Sequence, residues 1–224
     1  MEKILTNVRI IDPSQKIDEI GNIIIDDKGK IKSIGKNAKL SEASKTAEKI
    51  DLQGNIAIPG IVDMKAFVGE PGFEYKENFR TLSQAALAGG VTSIVTMPNT
   101  KPVIDNVSMV DFIIRRGRDK AKVNLYPCAA ITRQLEGQQM SEFGLLKERG
   151  IIGFSDVNKT IQNTELMSRI MNYASDLDTL IMQHAEDYEL AKNSCINEGE
   201  VATRLGLQGV SDIAERIIDR KSVV

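Results

Sequence analysis

Residues 57–97 read AIPGIVDMKAFVGEPGFEYKENFRTLSQAALAGGVTSIVTM, and this stretch decides the fold. An apolar segment at 57–64 is followed by an amphipathic helical pattern that starts at Phe79. A Gly-Gly pair then ends that pattern before a second apolar segment at 91–97. Short apolar strands that alternate with amphipathic helices are typical of parallel βα units.

The same alternation continues toward the carboxyl terminus. It predicts further strands at 123–131, 150–156 and 179–185. Helices are predicted to begin near Asp105 or Asn106 and near Asn163 or Thr164, because these residue types cap helix N-termini. Shorter helical patterns lie at 187–194, at 199–205 and after Ser211. The sequence therefore predicts about five βα units.

Residues 1–56 have a different texture, with short alternating strands around polar turns such as Asp26–Gly29. We predict an α/β protein with an N-terminal β segment at 1–56, part of a composite β domain of β-sandwich type. An incomplete TIM-type (β/α) barrel would follow at 57–224. A doubly wound sheet is the alternative, but its usual Gly-rich phosphate loop is missing after the first strand. A complete barrel needs about 250 residues, and only 165 of the 224 remain after the first 59.

Composition narrows the functional class. The chain carries 29 Lys and Arg against 31 Asp and Glu, so a basic nucleic-acid surface is not expected. No apolar run approaches the roughly 18–20 residues that span a bilayer, and the first residues lack the apolar centre of a signal peptide. The two cysteines fit no metal or redox spacing, which favours a cytoplasmic protein. A single histidine excludes any site built from several imidazoles.

Several blocks of the sequence, in order, carry a family resemblance. They are PGIVDM (59–64), EPGFEYKE (70–77), AALAGGVTSIVTMPNTKPVID (85–105), GFSD (153–156), QHAEDYELA (183–191) and NEGEVATRLGLQGVSDIAE (197–215). Together they resemble a dihydroorotase, the amidohydrolase that interconverts N-carbamoyl-aspartate and dihydroorotate in pyrimidine biosynthesis. The resemblance implies a zinc-dependent hydrolase with a metal-binding barrel and a small β domain.

The residues that the family uses on its first barrel strand are replaced. The family motif there is Asp-x-His-x-His-x-Arg, in which the two His bind zinc and the Arg holds the substrate carboxylate. This chain has Lys65, Phe67 and Gly69 at those three positions. By position, Asp156 and His184 match residual metal ligands, and Asn99 matches a substrate-binding Asn. Since zinc sites use three or four His, Cys or carboxylate donors, we expect little or no zinc on this chain.

Each of these residues also has a structural interpretation. His184 would be a hydrogen-bonded residue after an apolar strand, Asp156 a turn cap, and Asn99 a brace for the neighbouring turn. Lys65 would be either a solvated side chain or a buried cation paired with Asp156 or Asp63. Phe67 would fill the emptied pocket. The charged run at 115–120 would be a solvated helix end.

Three hypotheses about function remain open at this stage. The first is a non-catalytic dihydroorotase-like protein that acts as a scaffold or partner of aspartate carbamoyltransferase, or as a homo-oligomer. The second is an active cyclic amidohydrolase with an atypical metal site or with residues supplied by another chain. The third is a fragment of a longer dihydroorotase-like protein, since the resemblance fades after DIAERIIDR (212–220). Neither nucleic acid nor a membrane is expected as a partner.

Overall fold

The computed structural model describes residues 1–39 and 43–221, in two compact units that divide after Gly60. Residues 222–224, which belong to the predicted barrel segment, lie outside the described residues. None of the helices in the described part is long and apolar enough to cross a membrane.

The first unit is a five-stranded sheet built around its longest strand. The strands are β1 (Lys3–Asp12), β2 (Ile17–Ile25), β3 (Ile31–Gly35), β4 (Glu48–Asp51) and β5 (Ile56–Ala57). β2 pairs antiparallel with β1 and β3, while β4 and β5 pair parallel with β1. Val8 and Ile10 lie buried on β1 because alternate residues of a strand face the same side. The predicted N-terminal β segment is confirmed.

The second unit is a curled sheet of five parallel strands, each followed by helical structure. It contains β6 (Ile61–Ala66), α1 (Phe79–Ala88), β7 (Val91–Thr96), α2 (Val107–Lys120), β8 (Asn124–Ala129), α3 (Phe143–Glu148), β9 (Gly153–Ser155), α4 (Thr164–Asp176) and β10 (Leu180–Met182). The strands lie side by side in the order β10-β9-β8-β7-β6. Sequential parallel neighbours are the arrangement of a (β/α) barrel, so the predicted partial barrel is confirmed.

The chain continues after β10 through short elements. These are α5 (Tyr188–Ala191), β11 (Ile196–Asn197), α6 (Glu200–Leu205), β12 (Gly209–Val210) and α7 (Ile213–Lys221). The three helices match the predicted ones. β11 and β12 form a separate two-stranded parallel sheet that the sequence did not indicate, because two-residue strands carry no readable periodicity.

Side-chain caps explain where the main helices begin. The Asn78 carboxamide accepts hydrogen bonds from the backbone N–H groups of Arg80 and Thr81, which starts α1. Asn106 caps α2 and Asn163 caps α4 in the same way. Of the two cap candidates offered for each of these helices, the Asn is the one used, since its side-chain oxygen reaches the free N–H groups of the first turn.

Two details of the predicted elements were wrong. The segment 57–64 is not one strand: β5 pairs with β1, and β6 starts only at Ile61. Pro59 explains the break, because proline has no N–H to donate to a neighbouring strand. The sequence also missed α3, a six-residue helix that is too short to show a helical period.

The core of the second unit lies between the sheet and its helices. Phe143 of α3 stacks on Phe154 of β9 with ring centroids 3.7 Å apart. Both rings are fully buried, among side chains such as Ile113 of α2 and Met167 of α4. This packing holds β9 in place, and with it the residues at its carboxyl end, where the functional groups of parallel α/β sheets gather.

Candidate functional site

Asp156 follows β9 directly and is almost completely buried. Its carboxylate accepts a 3.0 Å hydrogen bond from the backbone N–H of Thr132 and a second bond from the Thr132 hydroxyl. Burial raises the pKa of Asp156 above its ordinary value, although the bonds from Thr132 act in the opposite direction. Burial therefore opposes ionisation of this carboxyl in the folded protein.

His184 lies in the loop after β10 and is partly exposed. Its Nε2 is 3.9 Å from the Glu186 carboxylate, a distance that suits a weak ion pair when the imidazole is protonated. The backbone carbonyl of His184 accepts a 2.7 Å hydrogen bond from the Thr160 hydroxyl. His184 and Asp156 both line one cavity of about 420 Å³, which also contains Lys159.

Lys65 extends from β6 toward the loop that follows β9. Its Nζ lies 3.2 Å from the Asn158 side-chain oxygen, two residues beyond Asp156. Its contact with Asp63 is made by the backbone, since the Lys65 N–H donates a 3.0 Å bond to that carboxylate. Lys65 is exposed, so the structure describes a solvent-accessible ammonium that links β6 to the loop after β9 rather than a buried cation.

Phe67 and Gly69 lie in the loop that leaves β6. The Phe67 ring packs against the ring of Phe73, with centroids 6.1 Å apart. Gly69 is buried and has a φ of 72°, in the left-handed region that favours glycine. A Cβ on Gly69 would lie 2.6 Å from the Glu77 carbonyl oxygen and 2.9 Å from that of Phe73. The backbone here has no room for the Arg that the family motif carries.

Asn99 lies in the loop after β7 and is half-buried. Its side-chain oxygen is shielded from solvent and accepts no hydrogen bond from the described residues. Buried polar atoms are normally paired, and an unpaired acceptor is a place where a ligand or a water molecule gains a bond. The substrate-binding role of Asn99 stays a prediction.

Zinc does not fit the residues at these positions. Lys65 presents an ammonium and Phe67 a hydrocarbon ring, and neither offers a lone pair to a cation. Both oxygens of Asp156 already accept bonds from Thr132. Within residues 1–39 and 43–221, no group of three or more His, Cys, Asp or Glu side chains is placed to hold a metal ion.

The sequence missed one ion pair beside this region. Glu70, in the loop after Gly69, is buried, and its carboxylate receives a 2.5 Å bond from Nε of Arg116. The same carboxylate also accepts the backbone N–H of Phe79 at the start of α1. Arg116 is exposed near the end of α2, as expected for the run at 115–120, but it also pairs with Glu70. Such a long-range pair leaves no signal in sequence spacing.

Comparisons with known proteins agree with the fold and the motif order. The sequence matches the family described as Dihydro-orotase-like over residues 54–221. It is 42% identical over 218 residues to the dihydroorotase of Syntrophus aciditrophicus, covering 97% of this chain and 50% of that relative. It is 38% identical over 224 residues to the dihydroorotase of Trichlorobacter lovleyi, covering all of this chain and 52% of that relative.

Solved structures show the same fold at lower sequence identity. An L-hydantoinase from Arthrobacter aurescens aligns with a TM-score of 0.75 at 17% identity, covering 100% of this chain and 50% of its own. A dihydroorotase crystal structure aligns with a TM-score of 0.58 at 12% identity, covering 99% and 62% respectively.

In fold, the chain is like the (β/α)-barrel hydantoinase and dihydroorotase structures with which it aligns. By sequence, the chain belongs to the dihydroorotase-like family. It spans about half the length of the curated relatives that it matches.

Proposed function

We propose that this chain is a non-catalytic dihydroorotase-like protein of pyrimidine biosynthesis that serves aspartate carbamoyltransferase as a scaffold or partner. The observation that carries the proposal is the first barrel strand and its loop, where Lys65, Phe67 and Gly69 stand in place of two zinc ligands and a substrate-binding Arg. A cytoplasmic location follows from the same proposal, and the two free cysteines support it.

Gly69 gives the proposal its strongest support. A side chain at this position would collide with backbone oxygens of the same loop, so the loop itself differs from one that presents an Arg. Neither Lys65 nor Phe67 can replace a zinc ligand, and the lost Arg removes the two-pronged recognition of a carboxylate. The sequence blocks around these positions still resemble the family. This is the pattern expected of a protein whose fold, rather than its catalytic chemistry, is needed.

Asp156 supports the proposal independently. Dihydroorotase chemistry uses zinc to generate hydroxide and to polarise the amide carbonyl. A metal ligand must offer a free lone pair to the cation, whereas both oxygens of Asp156 accept hydrogen bonds from Thr132 and burial raises the pKa of this carboxyl. Its carboxylate serves instead to hold the loop after β8 through Thr132.

A second candidate function is an amidohydrolase completed by residues from another chain. The observation in its favour is that Asp156 and His184 line the same cavity. In addition, the side-chain oxygen of Asn99, in the loop after β7, accepts no hydrogen bond from the described residues. This candidate requires zinc and measurable ring opening of dihydroorotate in the assembled protein.

One experiment separates the two candidates. The purified chain is analysed for zinc and assayed for dihydroorotate hydrolysis, alone and with aspartate carbamoyltransferase, and complex formation is followed by size-exclusion chromatography. We expect substoichiometric zinc, no turnover in either sample, and co-elution with the transferase. Stoichiometric zinc with turnover would favour the second candidate, and a transferase that neither binds nor responds to the chain would exclude the scaffold role.

A double variant provides the matched control for the metal measurement. Lys65→His together with Phe67→His restores two imidazoles at the motif positions without touching Gly69. If loss of these ligands is what removes zinc, the double variant binds more zinc than the wild-type chain. An equal zinc content in both proteins would show that the first strand is not the cause.

A further inference from the structure

A second cavity, of about 370 Å³, lies beside the loop that follows β6. Its lining comes from that loop, from the start of α1 and from the second half of α2. None of its residues lines the cavity that contains Asp156 and His184. The residues that line it are Glu70, Glu74, Asn78, Arg80, Arg116 and Lys120. Three cationic side chains and two carboxylates therefore surround one cavity.

Arg116 is held in place through one edge of its guanidinium group. Its Nε donates a 2.5 Å bond to the Glu70 carboxylate, which is buried and also accepts the backbone N–H of Phe79. The side chain of Arg116 is 47% exposed and donates no other hydrogen bond to the described residues. A guanidinium has five N–H donors, and pairs of them match the oxygens of carboxylates and phosphates. Glu70 thus fixes the arginine while its Nη groups remain available to a ligand.

Arg80 and Lys120 supply two further cations that pair with no described carboxylate. Both side chains are exposed, and neither forms an ion pair or a side-chain hydrogen bond with another of the described residues. Like charges that line one cavity repel each other, and an anion bound between them is attracted to both. Asn78 uses its side-chain oxygen to cap α1, so its amide NH₂ group adds neutral donors at the same cavity.

The carboxylates at this cavity are already engaged by the protein. Both oxygens of Glu70 accept the bonds described above, and the Glu74 carboxylate accepts the backbone N–H of Gly72 at 3.0 Å. Asp119, which follows Arg118 on α2, is paired with that residue at 3.1 Å. With three cations and two carboxylates, the lining keeps a net positive charge at neutral pH. Its unused donors and its charge both suit an anion.

We propose that this cavity binds the phosphate group of a small phosphate monoester. Its cations come from two helices, and a phosphate group presents three terminal oxygens in a tetrahedral arrangement, whereas a carboxylate presents two in one plane. Small-molecule sites have volumes of about 300–1,000 Å³, so this cavity also accommodates the organic part of an ester. The inference is independent of the proposed scaffold function, because it involves none of the replaced site positions.

The site is tested by isothermal titration calorimetry of the full chain with inorganic phosphate and with ribose 5-phosphate, at constant ionic strength. We expect both to bind, and the monoester to bind more tightly, since its organic part contacts the rest of the cavity. Arg80→Gln and Lys120→Gln should each raise the dissociation constant about fivefold or more, because each removes a charge-assisted hydrogen bond. Both positions are exposed, and circular dichroism confirms that each variant is folded.

Arg118→Gln is the matched control for these variants. It removes the same charge as Arg80→Gln, from a residue that is exposed on α2 but does not line the cavity. This variant is expected to keep the wild-type dissociation constants for both probes. A titration with acetate controls for the class of ligand, and we expect acetate to bind more weakly than phosphate.

The proposal is wrong if neither probe binds the wild-type chain, or if Arg80→Gln and Lys120→Gln bind both probes as tightly as the wild type. An equal loss of affinity in Arg118→Gln would overturn it as well, because binding would then reflect the charge of the whole surface. Acetate that binds as tightly as phosphate would exclude a phosphate-specific site. Equal affinities for phosphate and ribose 5-phosphate would exclude the monoester and leave the phosphate ion as the ligand.

Discussion

At the scale of single residues, Gly69 shows how a backbone conformation can exclude a side chain. Its left-handed φ and the two carbonyl oxygens next to it leave no space for a side chain. The loop in this conformation therefore depends on glycine, and an Arg at position 69 would require a different loop conformation.

The first prediction at this scale concerns Gly69 itself. Gly69→Ala is expected to lower the free energy of unfolding by about 2–4 kcal/mol, because strain at a positive φ adds to a steric clash. Gly90→Ala is the control: its φ is 79° but nothing lies within 4 Å of its Cβ position, so it incurs the φ cost alone, about 1 kcal/mol. Urea unfolding measures both. Equal losses would show that the clash is relieved by movement of the loop.

The second residue-scale prediction concerns the pH dependence that Asp156 confers. Its pKa is raised in the folded protein by burial, so between the ordinary pKa of about 3.9 and the raised value the folded state binds more protons than the unfolded state. Stability from this group is therefore fully present at low pH and falls as pH rises through that window.

Asp156→Asn removes this titration while keeping a hydrogen-bonding side chain opposite Thr132. We expect the variant to lose less stability than the wild type between pH 4 and pH 7, measured as the free energy of unfolding in urea. The difference between the two curves isolates Asp156 from other carboxyls that titrate in the same range. Parallel curves for the two proteins would contradict the raised pKa.

At the scale of elements, packing between α3 and β9 fixes the carboxyl end of β9. Phe143 and Phe154 stack inside the main core. β9 ends at Ser155, so the position of Asp156 depends on this packing. The loop after β8 is held to it through Thr132, whose hydroxyl also accepts the Gly137 N–H at 2.9 Å.

The element-scale prediction is that Phe143→Ala costs about 3–5 kcal/mol of stability, the usual range for truncating a fully buried aromatic ring. Leu145→Ala, on the exposed side of the same short helix, should change stability by less than about 0.5 kcal/mol. Thermal unfolding of the two variants compares them directly. A small loss for Phe143→Ala would mean that α3 contributes little to holding β9.

Sequence patterns were informative at this scale where elements are long and capped. The helices α1, α2 and α4 begin and end close to their predicted bounds because an Asn cap and an apolar face are both local signals. The same patterns did not reveal α3, β11 and β12, because these elements are too short to show a repeating pattern of apolar residues. The split of the predicted strand at Pro59 was visible in principle, since the missing N–H is a property of the residue alone.

At the scale of the whole molecule, the described residues form a five-stranded N-terminal sheet and five βα units of a barrel. The curated relatives are about twice as long, so the five strands correspond to only part of their fold. Among the described residues, β6 pairs with β7 alone and β10 pairs with β9 alone.

The sequence by itself determined the family resemblance and the alternation of the longer strands and helices, because these depend on local patterns and residue types. Only the tertiary structure decided which contacts the candidate site residues make. It brings Lys65 to Asn158 across the sheet, turns both oxygens of Asp156 toward Thr132, and leaves Gly69 no room for a side chain. These contacts join residues far apart in the chain, and their distances follow from packing that no local pattern encodes.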